Sequence, residues 1–301
     1  MTKRTSRSLI ARHLSRAAVL AGIGVYVARL SAIGSLSLYI SPRMAVYTKL
    51  AAACLYLIAA ALVYQALKAW DGDGAEGCGT ACRHAPTGNW LRQLRAVALF
   101  ALPLALFFLT PDTTIGSAMA AQKGMNLSGG AVPPAKPAAS DPTAASAPPD
   151  ADELDRLFPH DSLTKPYADY GKLLYAEPVI EIAAPRFLET LTTLSFFPDS
   201  FVGRRASIAG FVYRDDTIGD GQFVLGRFAV QCCAADAIPY GIVVESPDAA
   251  KYASDKWMTV TGILAKTTVG GSEVLLLKAD AATGIEPADD PYVYPDMSFG
   301  A

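Results

Sequence analysis

Residues 221–245, GQFVLGRFAVQCCAADAIPYGIVVE, decide the fold of the C-terminal half of the chain. Two β-rich runs lie on either side of a break that contains two adjacent cysteines, Cys232 and Cys233. Two such runs joined by a short loop are typical of a β-hairpin. The pattern therefore predicts two neighbouring strands, with the cysteine pair at the corner between them.

Strand-like runs continue through this half and predict a fold that is mostly β. The predicted strands cover residues 179–182, 206–213, 222–231, 240–244, 257–265 and 273–279, and a helix is predicted at residues 186–194. Internal glycines at positions 210, 226 and 262 suit bulges or bends in a curled sheet. The sequence therefore predicts a small all-β barrel of the OB-like, five-stranded type, with one or two short helices. A two-sheet sandwich is the alternative.

Charge and composition separate this half from the rest. Residues 1–95 carry 12 Lys and Arg against 3 Asp and Glu, whereas residues 96–301 carry 14 against 25. An acidic domain lacks the basic surface that nucleic acid requires, so we expect no nucleic-acid partner. Residues 121–152 are rich in proline and alanine, which is typical of a tether. The chain is predicted to be α + β in separate domains: a membrane anchor in residues 1–120, the tether, and the β domain in residues 153–301.

Three apolar segments predict transmembrane helices, at about residues 17–40, 45–67 and 93–113. About 20 apolar residues cross a bilayer core of about 30 Å. The third segment has an unbroken apolar run only at residues 96–109, so it either crosses fully or lies in the membrane as a re-entrant or interfacial segment. Basic residues concentrate at the N-terminus and in the second loop, which assigns both to the cytoplasm. Three crossings would leave the β domain outside the cytoplasm.

Small residues recur along the first predicted helix beside a charge. Gly24, Ala28, Ala32 and Ser35 follow one another at four- or three-residue spacing, and Arg29 lies near the middle of the predicted span. Small residues permit a second helix to approach closely, and a charge within the bilayer needs a partner or water. Two interpretations stay open: Arg29 pairs within this chain's own helices, or the stripe docks against the helices of a partner.

The cysteine pair is a candidate ligand site. Cys232 and Cys233 are followed by Asp236, and Arg214 or Arg227 is expected to offset thiolate charge. Two sulfurs and a carboxylate suit zinc or another thiophilic metal, although the sequence does not identify a cofactor. A vicinal redox pair is the second interpretation, because unprotected thiols outside the cytoplasm tend to oxidise. Packing of the thiols as small apolar groups is the third.

A second candidate metal set lies in the predicted cytoplasmic loop. Cys78, Cys82 and His84 form a C-x3-C-x-H pattern in a glycine-rich segment. They supply three soft ligands, one fewer than a closed structural zinc site needs. The alternative is an ordinary reduced and solvated loop.

Enzyme motifs are missing from the soluble half. Its single histidine, His160, is far in sequence from both cysteines, and no phosphate-binding glycine motif is present. The sequence therefore predicts a protein that is not an enzyme, with a thiol-disulfide redox protein as the alternative.

Four segments together resemble a known family: RFAVQCCAADAIPYGIVVE at 227–245, GFVYRDD at 210–216, YISPRM at 39–44 and SAMAAQKG at 117–124. They are similar to the YcgQ-like family of permease subunits, and the resemblance covers nearly the whole chain except the tether. It implies a small multi-pass protein of the bacterial cytoplasmic membrane that accompanies a separate multi-spanning permease subunit. It implies no reaction and no substrate.

Overall fold

The computed structural model describes residues 3–70, 90–127, 151–215 and 217–301. Contacts divide the chain into two compact units, Met1–Thr113 and Thr114–Ala301. The first unit is helical, and the second is built around a β-sheet.

The first unit contains three helices in its described residues: α1 at Lys3–Ala32, α2 at Pro42–Trp70 and α3 at Trp90–Leu109. Two apolar stretches, Ile10–Ala32 and Pro42–Trp70, are long enough to cross a membrane by length and composition. The apolar part of α3, Val97–Leu109, is shorter. The chain thus has two apolar N-terminal helices of membrane-spanning length.

Helix α1 ends earlier than the sequence pattern suggests. It stops at Ala32 instead of continuing to residue 40, and Gly34 follows with a φ of 80°. Glycine adopts this left-handed conformation without a steric penalty and commonly ends helices. As a result Arg29 lies in the last turn of α1 and not near mid-span, and Ser35 lies in a short 3₁₀ turn beyond the helix.

Glycines on α1 bring the other two helices close. The Tyr56 ring of α2 packs on Gly24, where a Cβ would lie 3.0 Å from the ring, and Leu104 of α3 packs on Gly22. The hydroxyl of Tyr39, between α1 and α2, donates a hydrogen bond of 2.6 Å to Asp112. The end of α3 therefore lies beside the connection between α1 and α2.

The second unit consists of seven strands and five helices in its described residues. The strands are β1 (Ile180–Ile182), β2 (Arg205–Tyr213), β3 (Gln222–Ala229), β4 (Ile238–Glu245), β5 (Trp257–Val269), β6 (Ser272–Gly284) and β7 (Tyr292–Val293). The helices are α4 (Ser117–Lys123), α5 (Ala151–Leu157), α6 (Lys165–Ala176), α7 (Phe187–Phe196) and α8 (Pro198–Phe201).

The strands form one mixed sheet in the order β1-β2-β5-β6-β4-β3-β7, and β2 also pairs with β3. Three of the pairings, β1–β2, β4–β6 and β3–β7, are parallel. The β5–β6 ladder shifts register between Thr261 and Gly262. Of the three glycines predicted at bulges or bends, Gly262 lies at this shift, whereas Gly210 and Gly226 lie in regular pairing.

Side chains on the two faces of each strand enter different hydrophobic clusters. On β3, Phe223 and Leu225 belong to the first cluster, and Val224 and Phe228 belong to the second. The first cluster is completed by side chains of the helices that precede β2, among them Phe187. The second is completed by residues 114–127, which include α4 and which we call the strap.

The strap therefore belongs to the sheet unit, although it directly follows the third apolar helix in sequence. Ala120 is fully buried in the second cluster, and Ile115, Met119, Met125 and Leu127 pack against it. The predicted tether beyond the strap and the predicted cytoplasmic loop lie largely in residues 128–150 and 71–89, which are outside the described residues.

Candidate metal centre

Both cysteines lie in the loop that connects β3 to β4, residues 230–237, which we call the cysteine loop. β3 ends at Ala229, the backbone bends at Gln231 and Cys232, Cys233 is extended, and a 3₁₀ turn follows at Ala234–Asp236. The backbone N–H of Val230 donates to the carbonyl of Val293 in β7 at 2.9 Å. The loop thus begins from an anchored strand end, which limits where its side chains can lie.

The Asp236 carboxylate holds the loop closed. It accepts hydrogen bonds from the backbone N–H groups of Gln231, Cys232 and Cys233, at 2.9, 2.7 and 3.2 Å. Partial burial opposes ionisation, but the Cys232 thiol and these three N–H groups outweigh it and lower the pKa of Asp236 to about 2. The carboxylate is therefore ionised at neutral pH, and it organises the backbone that carries both thiols.

The two sulfur atoms lie 3.6 Å apart, and Cys232 is exposed whereas Cys233 is half-buried. The sulfurs and one carboxylate oxygen of Asp236 all lie within 4.8 Å of one another. Two thiolates bound to a tetrahedral zinc at about 2.3 Å are about 3.8 Å apart. The sulfur spacing therefore fits a shared tetrahedral ion, and the Asp236 carboxylate lies close enough to be a candidate third ligand.

Without a metal the Cys232 thiol is protonated. Its hydrogen bond to Asp236 and its contact with Cys233 raise the pKa of Cys232 to about 12. A metal that binds both sulfurs must displace this proton, so metal affinity would rise with pH. The same effect makes Cys232 a weak nucleophile, because the thiolate and not the thiol reacts.

The strap contacts the cysteine loop from the side. Lys123 Nζ donates to the carbonyls of Ala235 and Ala237 at 3.1 and 2.6 Å. The backbone of Asn126 joins the start of β4: its N–H donates to Pro239 at 2.9 Å, and its carbonyl accepts from Gly241 at 3.1 Å. Sequence reasoning missed these residues, because they lie more than 100 positions from the loop and no local motif connects them to it.

Neither predicted supporting arginine contacts the thiols. Arg214 donates through Nη1 to the carbonyls of Ala249 and Tyr252. Arg227 is buried over the Trp257 ring and donates to the carbonyls of Asp290 and Pro291. Burial lowers the pKa of Arg227. Both guanidinium groups thus hold other parts of the sheet unit together.

The remaining predicted residues fall into two groups. Cys78, Cys82 and His84 lie outside the described residues. The predicted docking stripe on α1 is divided: Gly24 is covered by this chain's own Tyr56, and Arg29 lies 5.9 Å from the centre of the Phe108 ring. Ala28 and Ala32 instead line a groove between α1 and α2 with a volume of about 340 Å³.

Comparison with known proteins gives matches along most of the chain. The DUF1980 N-terminal domain matches residues 15–126, and the DUF1980 C-terminal domain matches residues 157–295. The strap thus belongs to the N-terminal domain by sequence and to the sheet unit by packing.

Two curated relatives are similar to the chain. The UPF0703 protein YcgQ of Bacillus subtilis (strain 168) is 25% identical over 290 residues, which cover 93% of this chain and 98% of that protein. A Streptococcus mutans serotype c protein, named as a subunit of a two-component membrane permease complex, is 26% identical over 174 residues. That alignment covers 56% of this chain and 60% of the relative. No solved structure matches the chain significantly.

Proposed function

The chain carries both domains of the DUF1980 family, and we propose that it is a non-enzymatic accessory subunit of a membrane permease. The observation that carries the proposal is its similarity to a relative named as a permease-complex subunit. Two apolar helices of membrane-spanning length are consistent with that role. The partner in this proposal is a separate multi-spanning subunit that forms the transport path.

The proposal includes an orientation in the bacterial cytoplasmic membrane. The N-terminus and the loop before α3 lie in the cytoplasm, because basic residues concentrate there. Helix α3 crosses as a third span in this proposal: its 20 residues make about 30 Å of helix, although only Val97–Leu109 is continuously apolar. The Tyr39–Asp112 hydrogen bond supports this, since it joins the end of α3 to the connection that follows α1. The sheet unit is then extracytoplasmic.

We also propose that the sheet unit is an OB-like barrel. Following the pairings from β2 through β3, β4, β6 and β5 returns to β2, so five strands form a closed circuit. An OB fold is a five-stranded, partly open Greek-key barrel. The closed circuit supports this fold over a two-sheet sandwich, and β1 and β7 are additions at its edges.

The cysteine loop in this proposal binds zinc or another thiophilic metal through Cys232, Cys233 and Asp236. Support comes from the 3.6 Å sulfur spacing and the ionised carboxylate beside it. Three ligands leave one position of a tetrahedral site open. An open site suits transfer of an ion to the permease better than a permanent structural metal.

Zinc titration of the full-length chain in detergent tests the metal site. The test uses a Cys54→Ser, Cys78→Ser, Cys82→Ser background, so that only the loop thiols remain. We expect one zinc per chain, and loss of that zinc in the additional Cys232→Ser, Cys233→Ser variant. An unchanged zinc stoichiometry in this variant would rule out the site.

A redox function is the second candidate, and the close contact of the two sulfurs is the observation in its favour. The raised pKa of Cys232 opposes it, because a thiol-disulfide exchanger needs a reactive thiolate. Catalysed thiol exchange by the chain, lost when both cysteines are replaced by serine, would establish the redox function and displace the accessory role.

Site-specific photo-crosslinking in native membranes tests the accessory role. A photoreactive amino acid at Ala28, which is exposed on α1, should form an adduct with one multi-spanning protein. The same amino acid at Asp220, exposed in the sheet unit, measures non-specific capture. Adducts only with lipid or with this chain would contradict the proposal.

A further inference from the structure

The groove between α1 and α2 is lined mostly by small residues and by one lysine, Lys49. It is lined on α1 by Ala28, Ser31 and Ala32, and on α2 by Lys49, Ala52 and Tyr56. Helix α3 does not fill it, because α3 contacts the α1 face that carries Gly22 and Tyr26. Small residues on both walls let another helix backbone come close.

The cation at this groove, Lys49, has no carboxylate partner among the described residues of its own unit. Lys49 is exposed on α2 and makes no ion pair with a described residue. Asp112 is the single acidic residue in 1–70 and 90–113, and it accepts a hydrogen bond from Tyr39. An ammonium group in an apolar helix is costly unless it reaches water or finds an opposite charge.

We propose that this groove binds a transmembrane helix of the partner subunit that carries an Asp or Glu opposite Lys49. The inference rests on the proposed accessory role and specifies the chemistry of its contact. Charge complementarity favours this occupant over a second copy of the chain, since the described helices α1 to α3 contain no acidic residue. The small lining residues favour a helix over a lipid chain, which gains nothing from close backbone approach.

The position of Lys49 indicates the depth of the partner's carboxylate. Lys49 is seven residues after Pro42, about 10 Å along the helix from its start. α2 has 29 residues, about 43 Å, which exceeds a hydrocarbon core of about 30 Å. The acid is therefore expected near the interface on the side of the α1–α2 connection, within reach of the flexible lysine side chain.

A synthetic helix can test the groove without knowledge of the partner. The probe is a Leu/Ala transmembrane peptide of about 20 residues with one Glu about two turns from one end and a neighbouring photo-crosslinker. Its matched control has Gln in place of Glu. Both are reconstituted with the full-length chain in phosphatidylcholine vesicles, and the crosslinked residues are identified by mass spectrometry.

We expect the Glu peptide to crosslink at the groove about tenfold more than the Gln peptide. Lys49→Met should abolish this preference, whereas Lys68→Met at the other end of α2 should leave it unchanged. Ala28→Phe should fill the groove and lower crosslinking of both peptides. Ala51→Phe, exposed on α2 but not in the groove lining, is its control.

Three results would overturn the inference: equal crosslinking of the two peptides, a Glu preference that survives Lys49→Met, or loss of crosslinking when phosphatidylglycerol is added. The last result would assign the groove to an anionic lipid headgroup. None of them would decide the accessory role, which the crosslinking from Ala28 in native membranes tests separately. If the Glu peptide binds the groove in vesicles but Ala28 crosslinks no multi-spanning protein in native membranes, the groove can bind an acidic helix but the chain has no permease partner.

Discussion

Asp236 is the residue on which the geometry of the cysteine loop depends. We predict that Asp236→Ala destabilises the sheet unit by about 1–2 kcal/mol, because three backbone N–H groups lose their charged acceptor. Urea unfolding of the fragment 114–301 would measure the change. Asp220→Ala, at an exposed site, is the control and should change the free energy of unfolding by less than about 0.5 kcal/mol. Equal stability of both variants would contradict the structural role of Asp236.

Asp215 should make the sheet unit sensitive to acid. Hydrogen bonds from Tyr213 and Thr217 lower the pKa of Asp215 in the folded state. The resulting stability is present above the unfolded pKa of about 3.9 and is lost as the pH falls through the folded pKa. We predict that Asp215→Asn is less stable than the wild type at pH 7 and that the difference shrinks below about pH 4. Thermal unfolding of both proteins across this pH range checks the prediction, and a constant difference would refute it.

At the residue scale, the sequence predicts contacts between residues that are close along the chain better than contacts between distant residues. The spacing of Cys232, Cys233 and Asp236 predicts their proximity because a short loop keeps neighbours together. The prediction that Arg214 and Arg227 offset thiolate charge has no such short-loop constraint behind it. Their actual hydrogen-bond acceptors include Ala249 and Asp290, whose positions depend on how distant strands pair.

Among the elements, each predicted strand corresponds to an observed one, the short β1 included, although β5 and β6 extend four and five residues beyond their predicted ends. The predicted strand at 206–213 corresponds to β2 at Arg205–Tyr213. β7 has only two residues, too few for any periodic signal. The sequence places the strap partly in the predicted anchor and partly in the predicted tether, because only the folded sheet provides the apolar surface that the strap covers.

Gly262 is required where β5 and β6 shift register. A Cβ at this position would lie 2.0 Å from the carbonyl oxygen of Lys278, and backbone atoms cannot move aside cheaply. We predict that Gly262→Ala lowers the free energy of unfolding by about 1–3 kcal/mol. Gly284→Ala is the matched control, since nothing lies within 4 Å of the added methyl group. Equal effects in chemical denaturation would show that the close approach is not important.

The strap should be essential to the sheet unit. We predict that the fragment 114–301 unfolds cooperatively, whereas 153–301 exposes the second cluster and binds a hydrophobic dye. Each fully buried apolar side chain contributes about 1.5–3 kcal/mol, and a strap with five apolar contacts contributes on the order of 5 kcal/mol. The fragment 128–301 keeps the proline-rich segment without the strap, so it should behave like 153–301. Cooperative unfolding of all three fragments would show that the strap is dispensable.

For the whole molecule, the orientation in the membrane gives a direct prediction. Because Cys232 is held as a thiol, labelling is better done with single cysteines in a cysteine-free chain. A membrane-impermeant maleimide should label Asp220→Cys in intact cells. It should label a retained Cys78 only after permeabilisation. The reverse pattern would place the sheet unit in the cytoplasm and contradict the proposed topology.

The strap also determines when the sheet unit can finish folding during synthesis. The backbone N–H of Ile115 donates to the hydroxyl of Tyr292, which the ribosome adds 177 residues later. Contacts between such distant residues slow folding, since a long loop must close before they form. The strap emerges before the strands of the sheet, and its apolar side chains stay uncovered until Tyr292 has been made. A nascent chain in that state is a natural substrate for chaperones and proteases, which would remove any chain that ends before Tyr292.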